Sequence, residues 1–202
     1  MSNNPSLVLI GAGGHARSCI DVIELQDKYR IQGLVGKQGE IGTNVLGYSV
    51  IGSDRDLIEI ARSVEYALVA VGQIKNAKDR SRLIVDVKSA GFKLAIVVSP
   101  LAYVSPTAVL GEGTIVMHHA LINANASIGE NCIINSRALV EHDVAIGDCS
   151  HISTAAVLNG NATVGARTFV GSGSTVMEGV VIADDSVVGM ATNLKGSYQD
   201  VQ

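Results

Sequence analysis

Val116-Met-His-His-Ala-Leu-Ile122-Asn-Ala-Asn-Ala-Ser-Ile128-Gly-Glu-Asn-Cys-Ile-Ile134 returns to an aliphatic residue at every sixth position. The step continues backward to Leu110 and Val104. It continues forward through Val140, Ile146, Ile152, Leu158, Val164, Val170, Val176, Ile182, Val188 and Leu194. Ile, Val and Leu make up 60 of the 202 residues, so sixteen successive hits lie far outside chance. Four residues after each of these anchors but the last stands a small or β-branched residue, among them Ala120, Cys132, Ser150, Ala162 and Thr168. One residue after, Gly or Asn is frequent, as at Gly129, Asn135, Gly147 and Gly165.

Neither strand alternation nor a helical period yields a repeat of six. A three-sided solenoid does, with one short strand and one corner per hexad and three hexads, 18 residues, per coil. Anchors fill the interior, small residues take the crowded corners, and Gly or Asn is expected to adopt the unusual corner backbone. Successive coils then bond as parallel strands roughly 4.8 Å apart. Interior stacks of aliphatics also explain a composition with 22 Gly, seven aromatics and no Trp.

Residues 6–99 carry no hexad. Ser6-Leu-Val-Leu-Ile10 reads as a buried strand, followed by Gly11-Ala-Gly-Gly-His-Ala16 and a helical stretch to about Lys28. Strands are expected at 31–36, 66–71 and 93–98, and helices at 54–64 and 76–90, with Ser53 or Asp54 as a cap. This alternation predicts a small parallel, Rossmann-like α/β domain over 1–99, joined through Pro100 and Pro106 to the solenoid over 100–202. The glycine loop opens a helix after a strand, an arrangement that admits backbone N–H groups to a phosphate. NAD is disfavoured, because Leu34-Val-Gly-Lys37 offers no acidic residue to hold a ribose.

A net charge of −4 argues against nucleic acid as partner. Three cysteines without a close pair point to a reducing, cytoplasmic setting, and neither a leader nor a membrane span is expected. No metal-ligand spacing is present. Four of the five histidines, His118, His119, His142 and His151, lie on the solenoid. His142 stands between Glu141 and Asp143 on a corner, a setting for a general base whose ring a carboxylate orients. One coil on, Gly160 should stack against it and leave a backbone N–H for a developing oxyanion. His151 is half a coil away and could share a site with His142 only between two chains. Residues 113–129 hold no Asp, Glu, Lys or Arg, which predicts a subunit interface, a trimer around the solenoid axis.

The glycine loop joined to an uninterrupted hexad array bearing Val140-Glu-His-Asp-Val-Ala-Ile-Gly-Asp-Cys-Ser-His151 resembles bacterial sugar acetyltransferases of the sialic-acid O-acetyltransferase type. Within that group it resembles the enzymes that N-acetylate nucleotide-linked 4-amino-sugars for surface glycan synthesis. The resemblance covers nearly the whole chain. It implies a left-handed parallel β-helix, a homotrimer with acetyl-CoA between adjacent solenoids, and a nucleotide sugar held by the α/β domain. It also implies roles for individual residues. His142 takes the proton from the attacking amine and Asp143 supports it. His151 and Gly160 lie near the thioester, Asn135 near the acceptor, and Ser172 and Met190 along pantetheine. Gly13, Gly14, His15 and Gly72 fall on the nucleotide-sugar side. The chain departs from its relatives in two places. Val35-Gly-Lys37 replaces an Asp-Asp pair after the second strand, and residues 195–202 lack a Val-Gly-x-Pro-Ala-Lys ending. O-acetylation of a sialic-acid-like sugar is an alternative of the same chemistry, and a non-catalytic scaffold or sugar-nucleotide sensor one of another class.

Overall fold

The computed structural model describes residues 4–198, so the last four positions of the C-terminal segment noted above lie outside it. The chain divides into two compact units. One comprises the residues up to Gly72 together with Lys78–Val97; the other comprises Gln73–Ala77 and the chain from Val98 onward.

In the first unit the elements run β1 (Ser6–Ile10), α1 (Gly14–Gln26), β2 (Arg30–Gly36), β3 (Asn44–Val45), β4 (Tyr48–Ser53), α2 (Leu57–Ile60), β5 (Tyr66–Val69), α3 (Lys78–Ala90) and β6 (Lys93–Leu94). They form one sheet in the order β3-β4-β2-β1-β5-β6. Its pairings are parallel except for the β3–β4 hairpin. That hairpin is a correction to the sequence reading, which left 37–53 without strands. Gly47, at φ 92°, turns the chain between two strands too short and too mixed to show a period. The expected helix over 54–64 also shrinks, to a 3-10 turn at Asp54–Asp56 followed by Leu57–Ile60. The Asp56 carboxylate accepts from both the Ser53 N–H and hydroxyl, at 2.8 and 2.9 Å, and fixes that start. Leu7, Leu9, Ile20, Leu34 and Leu68 are fully buried.

The second unit is a left-handed parallel β-helix with three faces of two-residue strands. The strand pairings join residue i to i+18, as in Leu121↔Leu139, Ala145↔Thr163 and His151↔Phe169. All anchors from Val116 to Val188 are buried in one core, with Val104, Leu110 and Leu194 packed against its ends. Each buried aliphatic contributes about 1.5–3 kcal/mol. The small-residue column also satisfies backbone groups between coils. Ser150 Oγ donates to Gly165 O at 2.8 Å and accepts from Thr168 N at 3.1 Å, and Thr168 Oγ1 repeats the pattern one coil on.

The corner backbone differs from expectation in an instructive way. Positive φ falls three residues after the anchor, at Asn125, Asn131, Arg137, Asp143, Cys149 and their equivalents, not one residue after. The glycines one residue after the anchor serve close approach instead. A Cβ on Gly147 would stand 2.5 Å from Ala166 N and 2.8 Å from its Cα, on the next coil. Of the uncharged stretch read as an interface, 113–117 is buried within the single chain, while Leu121 remains partly exposed.

Candidate active site

In the first unit, a cavity of about 680 Å³ opens at the C-terminal ends of β1, β2 and β5. The chain runs from β1 outward to β2 on one side and later returns to β5 on the other, so this is the crevice where strand order reverses. Gly13, Gly14, His15 and Gly72, assigned from sequence to the nucleotide-sugar side, all line it, together with Val35, Gly36, Lys37 and Gln38. Gly13 caps α1, and a Cβ on Gly13 or Gly14 would meet nothing within 4 Å, so these glycines leave the cavity open beside the helix N-terminus. Buried Arg80 ties α3 to the end of β5 by donating to Val69 O at 3.0 Å and Val71 O at 2.5 Å. Arg82, bridged to Asp54 at 3.1 Å and Asp86 at 2.7 Å, borders the opening.

In the second unit, His142 and Asp143 sit on one edge of the prism, both about half exposed. His142 Nδ1 lies 2.8 Å from Asp143 Oδ2. A carboxylate only accepts, so Nδ1 carries the proton and Nε2 presents its lone pair when the ring is neutral. Asp143 is held in turn by Asn125, one coil earlier, whose Nδ2 donates to Oδ1 at 2.7 Å. The bond from Asn125, then that to His142, holds the Asp143 carboxyl below its usual range. The bond to Asp143, reinforced by the charges of Asp143, Glu141 and Glu178, raises the His142 pKa above its ordinary value. Glu141 does not bond the ring; it accepts from Asn123 Nδ2 at 2.7 Å.

Gly160 stacks against His142, as the 18-residue spacing requires. A Cβ there would lie 2.7 Å from Cε1 and 2.8 Å from Nε2 of the ring. Only glycine lets the imidazole lie over the next coil in this way. His151 occupies a different face. It is buried, its Nδ1 donates to Gln73 O at 2.7 Å, and its Nε2 lies 3.0 Å from Asn135 Nδ2. The fixed acceptor at Nδ1 leaves Nε2 to accept from the Asn135 amide. Gln73 is anchored by donating to Arg167 O at 3.2 Å. Ser172 shares a hydrogen bond of 2.9 Å with Ser153, and Met190 is three-quarters exposed. The structure thus joins His142 with Asp143 and Gly160, and His151 with Asn135, as two separate groups within one chain.

Sequence reasoning missed Asn125, although its place 18 residues before Asp143 could have shown it. It also missed Gln73, which no spacing connects to His151. All three thiols are buried and none is in a disulfide. No group of three metal-ligating side chains occurs among the described residues, and none of their helices is long and apolar enough to cross a membrane.

No curated protein matches the sequence significantly. Residues 6–85 match the PglD N-terminal domain family. Among solved structures, the chain is similar to PerB from Caulobacter crescentus in complex with CoA and GDP-perosamine. That match has 32% identity and a TM-score of 0.90, and covers 99% of this chain and 93% of that one. It is also similar to the acetyltransferase domain of PglB from Neisseria gonorrhoeae in complex with acetyl coenzyme A. There the identity is 28% and the TM-score 0.89, with 98% of this chain and 94% of that one covered. WeeI from Acinetobacter baumannii shares the fold at 16% identity and a TM-score of 0.60, over 94% of each chain. The chain therefore belongs to the hexapeptide-repeat sugar N-acetyltransferase family that contains PerB and the PglB acetyltransferase domain.

Proposed function

We propose that this protein transfers the acetyl group of acetyl-CoA directly to the amine of a nucleotide-linked 4-amino-sugar. The observation that carries this reading is the His142–Asp143 pair, with its Nε2 edge laid over Gly160. An aliphatic amine is mostly protonated near neutral pH, and only its free base attacks a carbonyl. His142 Nε2 accepts the proton, and Asp143 stabilises the imidazolium that forms. The nitrogen then bonds the thioester carbon, the C–S bond breaks, and CoA leaves as its thiol. The Gly160 backbone N–H is assigned to the developing oxyanion. With every thiol buried, no cysteine is available to carry an acyl group.

The nucleotide is assigned to the cavity around Gly13, Gly14, His15 and Gly72. His151, Ser172 and Met190 are assigned to acetyl-CoA and Asn135 to the acceptor. The active form is a homotrimer. In support, one outward face of the solenoid presents Tyr103, Leu121, Leu139 and Val157 in register, an apolar row suited to a second copy. Three thiols outside any disulfide suit the cytoplasm.

The test is incubation with acetyl-CoA and either GDP-perosamine or a nucleotide sugar bearing a 4-hydroxyl, following thiol release and product mass. The reading expects a gain of one acetyl group on the amine. Acetylation of the hydroxyl sugar alone, or no CoA binding by calorimetry, would overturn it.

A further inference from the structure

The edge bearing His142 holds one carboxylate that the pair leaves unused. Residues 142, 160 and 178 form a single stack, in which Asn161 N donates to His142 O at 2.9 Å and Gly179 N to Gly160 O at 3.0 Å. The middle rung has no side chain, and the imidazole leans across it with Cε1 and Nε2 nearest. The next rung is Glu178, which is exposed. Asp143 is committed to Asn125 and the ring, and Glu141 to Asn123. Glu178 has no hydrogen-bond or ion-pair partner among the described residues. Its charge nevertheless reaches the ring and helps to raise the His142 pKa, alongside Asp143 and Glu141.

We propose that Glu178 receives the acceptor as its ammonium ion and so selects amines over hydroxyls. This rests on the function proposed above and adds to it a specificity-determining residue. The amino-sugar arrives as R–NH3+, one N–H pairs with the Glu178 carboxylate, and a second faces Nε2 of neutral His142. The proton moves to Nε2, giving R–NH2 beside an imidazolium that lies between the carboxylates of Asp143 and Glu178. After C–N bond formation and C–S cleavage, the departing sulfur is protonated and the remaining proton returns to solvent. A hydroxyl acceptor is neutral and gains no such pairing, so the carboxylate favours the amine without touching the thioester.

Glu178→Gln, with Glu178→Asp as the conservative control, separates the possibilities. With GDP-perosamine as the probe, Glu178→Gln is expected to raise KM about tenfold with a smaller change in kcat, and Glu178→Asp to restore part of the loss. Any turnover of the 4-hydroxyl sugar should change far less than that of the amine. An unaltered KM for the amine, or equal losses on both acceptors, would overturn the proposal. NMR titration of the His142 ring without acceptor supplies a readout independent of activity. Its pKa should fall in Glu178→Gln, and an unmoved value would overturn the proposal. Were the wild-type protein to acetylate no amine at all, the function above would fail and the ammonium role with it. A shifted ring pKa would then still show that Glu178 acts on His142.

Discussion

Two edges of the same prism use one 18-residue register for opposite ends. On the edge through Glu130, Asp148, Ala166 and Asp184, carboxylates close upon the backbone of the neighbouring coil. Asp148 Oδ1 accepts from Glu130 N at 2.8 Å, and Asp184 Oδ1 from Ala166 N at 2.9 Å. Arg167 joins Asp185 at 2.8 Å and Asp184 at 3.1 Å. Polar capacity there is spent on holding coils together. On the edge through Asn125, Asp143, His142 and Gly160, the carboxylate is turned toward an imidazole, the following rung is bare, and Nε2 lies over that rung. The proposed chemistry falls where the ladder of structural bonds is interrupted. The interruption costs the fold little, because the aliphatic interior beneath both edges is the same.

The comparison breaks most sharply at His142. His142→Asn should lower kcat about 10²–10⁴-fold while thermal midpoint and oligomeric state stay unchanged; turnover assays beside size-exclusion light scattering check both. Next come two glycines. Gly160→Ala should push the imidazole off its rung, cutting kcat/KM about tenfold or more with a small loss of stability. Gly147→Ala, on the structural edge, should do the reverse. Its Cβ meets backbone that cannot yield, so a denaturant midpoint should show a loss of roughly 1–3 kcal/mol with turnover per folded molecule unchanged. Asp143→Asn should act on pH dependence. The bond to Asp143 raises the His142 pKa, and the proposed base works only when neutral. The acidic limb of kcat/KM therefore lies above the ordinary value of about 6.5. Losing Asp143 should move that limb to lower pH and reduce the plateau, since Nδ1 loses its orienting partner. Arg167→Ala should have the smallest effect. Its ion pairs are solvent-exposed, so stability should fall by no more than about 1 kcal/mol and activity should be unaffected.

The solenoid was legible because its interior tolerates only one class of residue at every sixth place. That same arithmetic places Gly160 against His142. The corner conformation was not legible in the same way. The positive-φ positions favour Asn, Asp and Gly, as at Asn125, Asp143 and Gly173, but Arg137, Cys149 and Ala155 interrupt the column, whereas the more conspicuous glycines one residue after the anchor answer to crowding between coils. In the α/β unit, β1, α1 and β5 announced themselves by apolar runs and a glycine loop. The β3–β4 hairpin was silent, because half of its residues face solvent. The Gln73–His151–Asn135 chain could not be read at all, since its first link is a backbone carbonyl 78 residues from the ring.

The central claim is that His142, protonated at Nδ1 by virtue of Asp143, removes a proton through Nε2. Nitrogen-15 NMR of the His142 ring across pH tests it most directly when set beside the acidic limb of kcat/KM. The account predicts the Nδ1–H form at neutral pH and a ring pKa above the ordinary histidine value that coincides with the kinetic one. A ring protonated at Nε2, or one titrating away from the kinetic limb, would contradict it.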